Sequence, residues 1–362
     1  MTRRDRFFSV AVAAALASSA PLAGALTITV SDTTPAGMGA QALDAIRAAA
    51  DDWQGRLADA VSVNLDVNFA SLGSGTLGST SASYVAIDYT SVRARLVADA
   101  HSTLDLTAVA HLQPGGALAF QATNLDRSTR LDNDTGSAGC AGGGLCDTNN
   151  RVLWFTNANA KALGLPPDPS GPDASITFNT AYLSSFDFNR VDGIGAGRYD
   201  FRTLAEHEIG HALGFVSGVD DIDVCAKDPV PCGWPAGNPF AAEGSPLYST
   251  LDLFRYSGNG VLDLRVGGSP YLSVDGGASA IELFSTGETG GNGYQASHFG
   301  SAGDALMRPF IVSGLSYDAG AVDLMALDAI GWDLVGAVPE PSTAGLLLLG
   351  MAGLAARVRR RR

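Results

Sequence analysis

The chain has 362 residues, 46% of them hydrophobic and 17% charged, and a formal net charge of −14. Three Arg and one Asp fall in 1–25 and five Arg follow Ser342, so the body between them carries 15 basic against 36 acidic side chains, a net −21. A field of that sign argues against nucleic acid or an anionic membrane surface as partner, and a body of about 315 residues outgrows one ordinary core and suits two lobes around a cleft.

Residues 1–25 open with Arg3, Arg4 and Arg6, continue through an apolar run at 7–17 and reach Ala23-Gly24-Ala25. This is the layout of a secretory signal peptide cut before Leu26, and the run is short for a bilayer span. Asp5 and Arg6 after the Arg pair fit the general secretory route better than the twin-arginine one. A short strand follows at 26–30. Leu43, Ile46, Ala50, Trp53 and Leu57 then recur at helical spacing, and Val61, Val63, Leu65, Val67 and Phe69 alternate as in a half-buried strand, which together make a β-α-β opening. A second helix is predicted over 90–101. His101 and His111 read as surface or helix-end residues without a role. The loop Asp132-Asn133-Asp134-Thr135-Gly136 could hold Ca²⁺, although its spacing matches no EF-hand and fits a solvated loop as well. Strands are predicted over 152–156 and 175–179, the latter as the sheet edge on which an extended peptide could pair.

The cysteines fall as close pairs, Cys140 with Cys146 and Cys225 with Cys232. In an exported chain, an even number at short spacing reads as two local disulfides.

Between the cysteine pairs stands His207-Glu208-Ile209-Gly210-His211, preceded by Asp200 and Thr203 as possible N-caps, with Thr203 and Glu206 spaced for a capping box. Residues four apart on a helix lie about 40° from alignment, so His207 and His211 share a face and can bind one Zn²⁺. Glu208, one residue round, can reach a water at that ion and act as general base. Gly214 and Gly218 offer places for the helix to end. A catalytic zinc usually takes three protein ligands. The compact spacing would put the third at Ser217, a poor ligand. His298 is the only later histidine, and Met307-Arg308-Pro309 follows it in a stretch that could turn tightly beneath the ion. Asp220, Asp221, Asp223 and Glu282 are the substitutes if His298 is not the ligand.

With Ala212-Leu213-Gly214-Phe215 after the motif, a long insertion, then His298 and Met307, the stretch 199–332 resembles the leishmanolysin-like branch of the metzincin peptidases. The resemblance implies His207, His211 and His298 as zinc ligands, Glu208 as base and Met307 as a hydrophobic floor. It also implies a tyrosine near the Met-turn that stabilises an oxyanion, for which Tyr317 is the nearest choice. The insertion is the departure from the pattern, since His298 lies 87 positions beyond His211. The implied fold is α+β: a two-lobed zincin-like catalytic domain over 26–335, with a mixed sheet and the active-site helix above and an irregular lower lobe below. Strands are predicted in that lobe over 251–256, 271–274 and 281–284, and a closing helix over 321–332.

Residues 336–362 contain Pro339-Glu340-Pro341, the apolar run 344–356 and a terminal Arg cluster. They resemble the PEP-CTERM sorting tail of Gram-negative bacteria, which implies an exosortase-type processing partner and delivery to the envelope or an extracellular matrix. Thirteen apolar residues suffice for transient insertion, and a permanent anchor stays open. The sequence is thus expected to be a monomeric exported zinc endopeptidase acting on peptide or protein. Two alternatives stand beside it: a non-catalytic matrix-binding protein on the same scaffold, and a zinc hydrolase of a non-peptide bond.

Overall fold

The computed structural model describes residues 25–133 and 147–336. It opens with strand β1 (Thr27–Asp32), helix α1 (Ala40–Gln54) and strand β2 (Ser62–Ala70), the expected β-α-β unit. Val63, Leu65 and Val67 are buried from β2, while Ala42, Ile46, Ala49 and Trp53 form the buried face of α1. Strands β3 (Gly78–Ala82) and β4 (Tyr84–Asp88) follow, then helices α2 (Tyr89–Asp99) and α3 (Thr103–Ala110). The helix predicted to reach residue 101 stops at Asp99 because Ser102 starts a new one. Its hydroxyl accepts from the Asp105 amide, and Asp105 accepts from the Ser102 amide, a capping box.

The chain continues through β5 (Phe120–Thr123), β6 (Thr129–Asp132), α4 (Thr148–Arg151), β7 (Val152–Thr156), α5 (Asn157–Ala162) and β8 (Ala174–Asn179). Then come β9 (Phe186–Asp187), β10 (Tyr199–Asp200), α6 (Phe201–Ala212), α7 (Val219–Cys225), β11 (Arg255–Gly258) and β12 (Val261–Leu264). Strands β13 (Tyr271–Leu272) and β14 (Glu282–Leu283) and helix α8 (Ala321–Ala329) complete it.

The architecture is mixed α/β with several sheets. The sheet that matters for the site has the order β1-β2-β8-β3; its first three strands are parallel and β3 runs antiparallel to β8, with Thr80 opposite Ile176. The strand expected over 175–179 therefore exists, but it is interior rather than the edge. The edge is β3, whose Gly-Ser-Thr-Ser-Ala sequence carries no apolar alternation to announce a strand. Helix α6 packs on β3 and β8 and against α1.

Strand β7 stands apart, paired antiparallel with β4. The region after α7 is less irregular than expected, because β14-β13-β11-β12 join β5 and β6, from before the motif, in one six-stranded sheet. The strand predicted over 251–256 begins only at Arg255, since Leu251–Phe254 form a 3₁₀ turn. Cys225 and Cys232 are joined at the end of α7, while Cys140 and Cys146 lie outside the described residues. Among the described residues no helix is long and apolar enough to cross a membrane.

Candidate metal centre

Helix α6 begins where Asp200 accepts the amides of Arg202 (3.2 Å) and Thr203 (3.3 Å). The alternative cap at Thr203 and its box with Glu206 do not form. The Thr203 hydroxyl is taken up by Asp200 and the Tyr317 backbone, and Glu206 turns to Arg56 and the Ala319 amide. The helix ends at Leu213 because Gly214 adopts φ +121°, a region other residues enter only with strain. Two indoles brace it: Trp53 Nε1 donates to the Glu206 carbonyl (2.9 Å) and Trp332 Nε1 to the Leu213 carbonyl (2.8 Å).

On this helix His207 and His211 point the same way, and His298 comes to meet them. The three Nε2 atoms form a triangle with sides of 3.1, 3.2 and 3.2 Å. Each Nδ1 faces a backbone carbonyl: Leu306 for His207 (2.9 Å), Phe215 for His211 (2.7 Å) and Gln295 for His298 (3.3 Å). Donation from Nδ1–H fixes the tautomer and leaves three Nε2 lone pairs facing one another, an arrangement that repels itself unless a cation sits among them. Burial pushes His207 down to about 4 and His211 to about 3, and holds His298 well below the ordinary imidazole value. The rings are therefore neutral at physiological pH and able to ligate. Nitrogens shared by one tetrahedral zinc at 2.0–2.1 Å stand about 3.3–3.4 Å apart, so the observed triangle fits the ion with a slight expansion.

Glu208 is 5% exposed and lies between the helix and the sheet edge. The Thr80 hydroxyl of β3 contacts its Oε2 at 2.7 Å and its carbonyl at 2.8 Å. Oε1 comes so close to Gly78 that a Cβ there would stand 2.7 Å away. Burial raises the carboxyl to about 7, with the Thr80 hydroxyl pulling the other way. Met307, 1% exposed, packs under the helix at Gly210, where a Cβ would meet its sulfur at 2.5 Å. Asp323 of α8 accepts the amides of Leu306 (2.9 Å) and Met307 (3.0 Å), which holds the turn that also supplies the His207 carbonyl partner.

The substitutes for His298 are engaged elsewhere. Asp220 accepts the amides of Ala296 and Ser297, Asp223 those of Thr289 and Gly290, and Glu282 lies on β14. Asp221 faces the cleft without closing on the three imidazoles. One further cluster among the described residues, Asp52, Glu206 and Asp318, is spaced for an ion but is matched by Arg202, Arg56 and Arg190. Tyr317 does not itself line the cleft; its ring stacks 4.2 Å from the guanidinium of Arg308, which does. The carboxylate of Asp132 is taken by Arg130, Asn149 and Asn150; positions 134–136 of that suggested Ca²⁺ loop lie outside the described residues.

The imidazoles and Glu208 open into a cleft of about 1170 Å³. Its lining takes in most of β3 with Tyr84 and Trp154, together with Tyr294, His298 and the segment from Arg308 to Ile311. Sequence reasoning missed Thr80, Gly78 and Asp323. Only the pairing of β3 with the sheet and the return of α8 bring them to the motif, and no local spacing encodes either.

Residues 337–362 match the PEP-CTERM protein-sorting motif, which marks an exported protein whose tail is read by an exosortase. No curated protein and no solved structure matches the chain.

Proposed function

We propose that this protein is an exported zinc-dependent endopeptidase of the zincin type, allied to the leishmanolysin-like metzincins it resembles. The observation that carries the reading is the convergence of three imidazole nitrogens beside a buried carboxylate, at a strand that forms the edge of its sheet among the described residues. An all-imidazole set suits zinc far better than Ca²⁺ or Mg²⁺, which prefer oxygen. His207, His211 and His298 would hold the ion and leave a position open toward the cleft.

When bound, the ion polarises a peptide carbonyl and acidifies a water. The remaining work belongs to the chain. Thr80 fixes Oε2 of Glu208, so Oε1 is the atom that takes the proton of the attacking water and later delivers it to the leaving amine. The outer side of β3 offers main-chain donors and acceptors to an extended substrate, which aligns the scissile bond while tolerating many side chains. Met307 keeps the floor of the centre dry. The sorting tail then carries this activity, as a monomer, to the envelope or its surrounding matrix.

The test is casein or gelatin cleavage by the zinc-loaded wild type and by Glu208→Gln. Cleavage should fall by about 10²–10⁴-fold in the variant with zinc content unchanged. Zinc-loaded wild type that cleaves no protein or peptide would sink the peptidase reading and favour a binding scaffold or another bond.

A further inference from the structure

The third candidate ligand sits on a loop, and that loop is gripped from two sides, by a half-buried carboxylate and a buried guanidinium. Asp220, in the first turn of α7, accepts two successive amides, Ala296 at 2.5 Å and Ser297 at 2.9 Å. Arg255, 1% exposed, donates from Nη1 to the Ala296 carbonyl (3.1 Å) and from Nη2 to the Ser285 carbonyl (2.5 Å). Ala296 is thus held at both its N–H and its C=O, and the next amide is held as well. Two residues on from Ala296, the His298 ring is tied back to Gln295 within the same turn. Little freedom is left to the backbone that aims Nε2.

We infer that Asp220, acting with Arg255, is the positioning residue for the third metal ligand, so that metal affinity is set partly from α7. This rests on the metal-centre reading above. Asp220 stands outside the cluster of three imidazoles, with its two oxygens on the Ala296 and Ser297 amides. It acts by removing the alternative orientations of the 295–298 turn, which would otherwise have to be frozen out each time an ion binds.

The same helix supplies a matched control. Asp223 accepts two successive amides of the same insertion, Thr289 at 2.7 Å and Gly290 at 2.8 Å, and pairs with Arg127 at 2.6 Å. Its grip is of equal kind, but it acts eight and nine residues before His298 rather than one and two. A purely structural role for these aspartates predicts that both matter in proportion to the stability they supply. A positioning role predicts that only Asp220 matters to the ion.

The experiment measures zinc Kd by chelator competition, and metal-free Tm, on the exported chain and on Asp220→Ala, Asp220→Asn and Asp223→Ala. Asp220→Ala is expected to weaken zinc by about 10–100-fold, the range typical of groups that orient a ligand from behind. Asp220→Asn, which keeps one acceptor oxygen and the shape, should fall between it and the wild type. Asp223→Ala should lower Tm at least as much while changing Kd by no more than about 3-fold. Unchanged Kd in Asp220→Ala, or Kd losses in both alanine variants that simply track Tm, would overturn the inference while the metal centre stands. A wild type that binds no zinc would remove the metal centre itself, and the inference with it.

Discussion

His207 and His211 stand on a helix braced by indole N–H groups in its middle and at its C-terminal end, whereas His298 stands on a turn held by a half-buried carboxylate and a buried guanidinium. The first pair keeps its mutual position by helical periodicity alone and would keep it in any fold that retained α6. The third nitrogen reaches its corner of the triangle through docking of the insertion on α7 and through the Phe299 amide, which donates to the Met307 carbonyl in the turn that Asp323 holds. A rigid local half and a conditional distant half thus share one centre, and the conditional half decides whether the centre exists.

The largest expected effect breaks that partnership. His298→Ala should reduce zinc from one per chain to near zero by mass spectrometry, and full retention would mean that α6 binds the ion unaided. Removing the ion from the wild type probes the same asymmetry without mutation. At ligand concentrations near 10³ times Kd the ion contributes about 4 kcal/mol, so a chelator should lower Tm. Amide exchange should then rise across 285–299 and stay slow in α6; equal acceleration in both would contradict a conditional half.

Next in size is the contact that joins the halves from below. Gly210→Ala drives a methyl into the Met307 sulfur and should cost about 1–3 kcal/mol in urea unfolding. In a Met307→Ala background the same change should cost distinctly less, and additivity of the two would show that the contact is not the cause.

An acidic patch outside both halves, with Asp59 and Asp328 buried and Asp99 half-buried, gives a stability prediction with a definite sign. Burial and mutual repulsion push Asp59 up to about 8, and Asp99 and Asp328 up to about 7. Folding therefore favours their protonated forms. The stability so gained is complete below the unfolded carboxyl value near 4 and is lost as pH rises through 7–8. Asp59→Asn should flatten that decline and gain on the order of 1–3 kcal/mol at pH 9. A wild-type Tm that does not fall between pH 5 and 9 would count against it.

The smallest effect sharpens the catalytic side. Thr80→Val removes a hydroxyl that lowers the Glu208 carboxyl, so the acidic limb of the pH–rate profile should move up by about half to one unit. A downward shift would mean that Thr80 acts otherwise.

What the sequence disclosed follows the same division. The helix that sets His207 and His211 on one face, with Glu208 beside them, was legible because i, i+4 spacing is a local code. The β-α-β opening was legible because Val63, Leu65 and Val67 alternate. His298 could be named as the remaining histidine, but what aims it could not: Asp220 reads equally as a ligand until the fold shows its oxygens on the Ala296 and Ser297 amides. The edge strand was misplaced because Ser and Thr side chains facing a cleft and a carboxylate leave no hydrophobic rhythm. The sheet beyond α7 was read as irregular because its strands run only two to four residues and recruit partners from before residue 133.

The indoles that brace α6 make the motif helix optically self-reporting. Trp53 and Trp332 are buried with their N–H groups on its backbone, one within the helix and one at its end, while Trp154 is 41% exposed and Trp234 lines the cleft. With Trp154 and Trp234 replaced by Phe, the remaining emission would come from those two positions alone. Loosening of this helix by heat, denaturant or loss of the ion could then be followed as a red shift, with no attached dye.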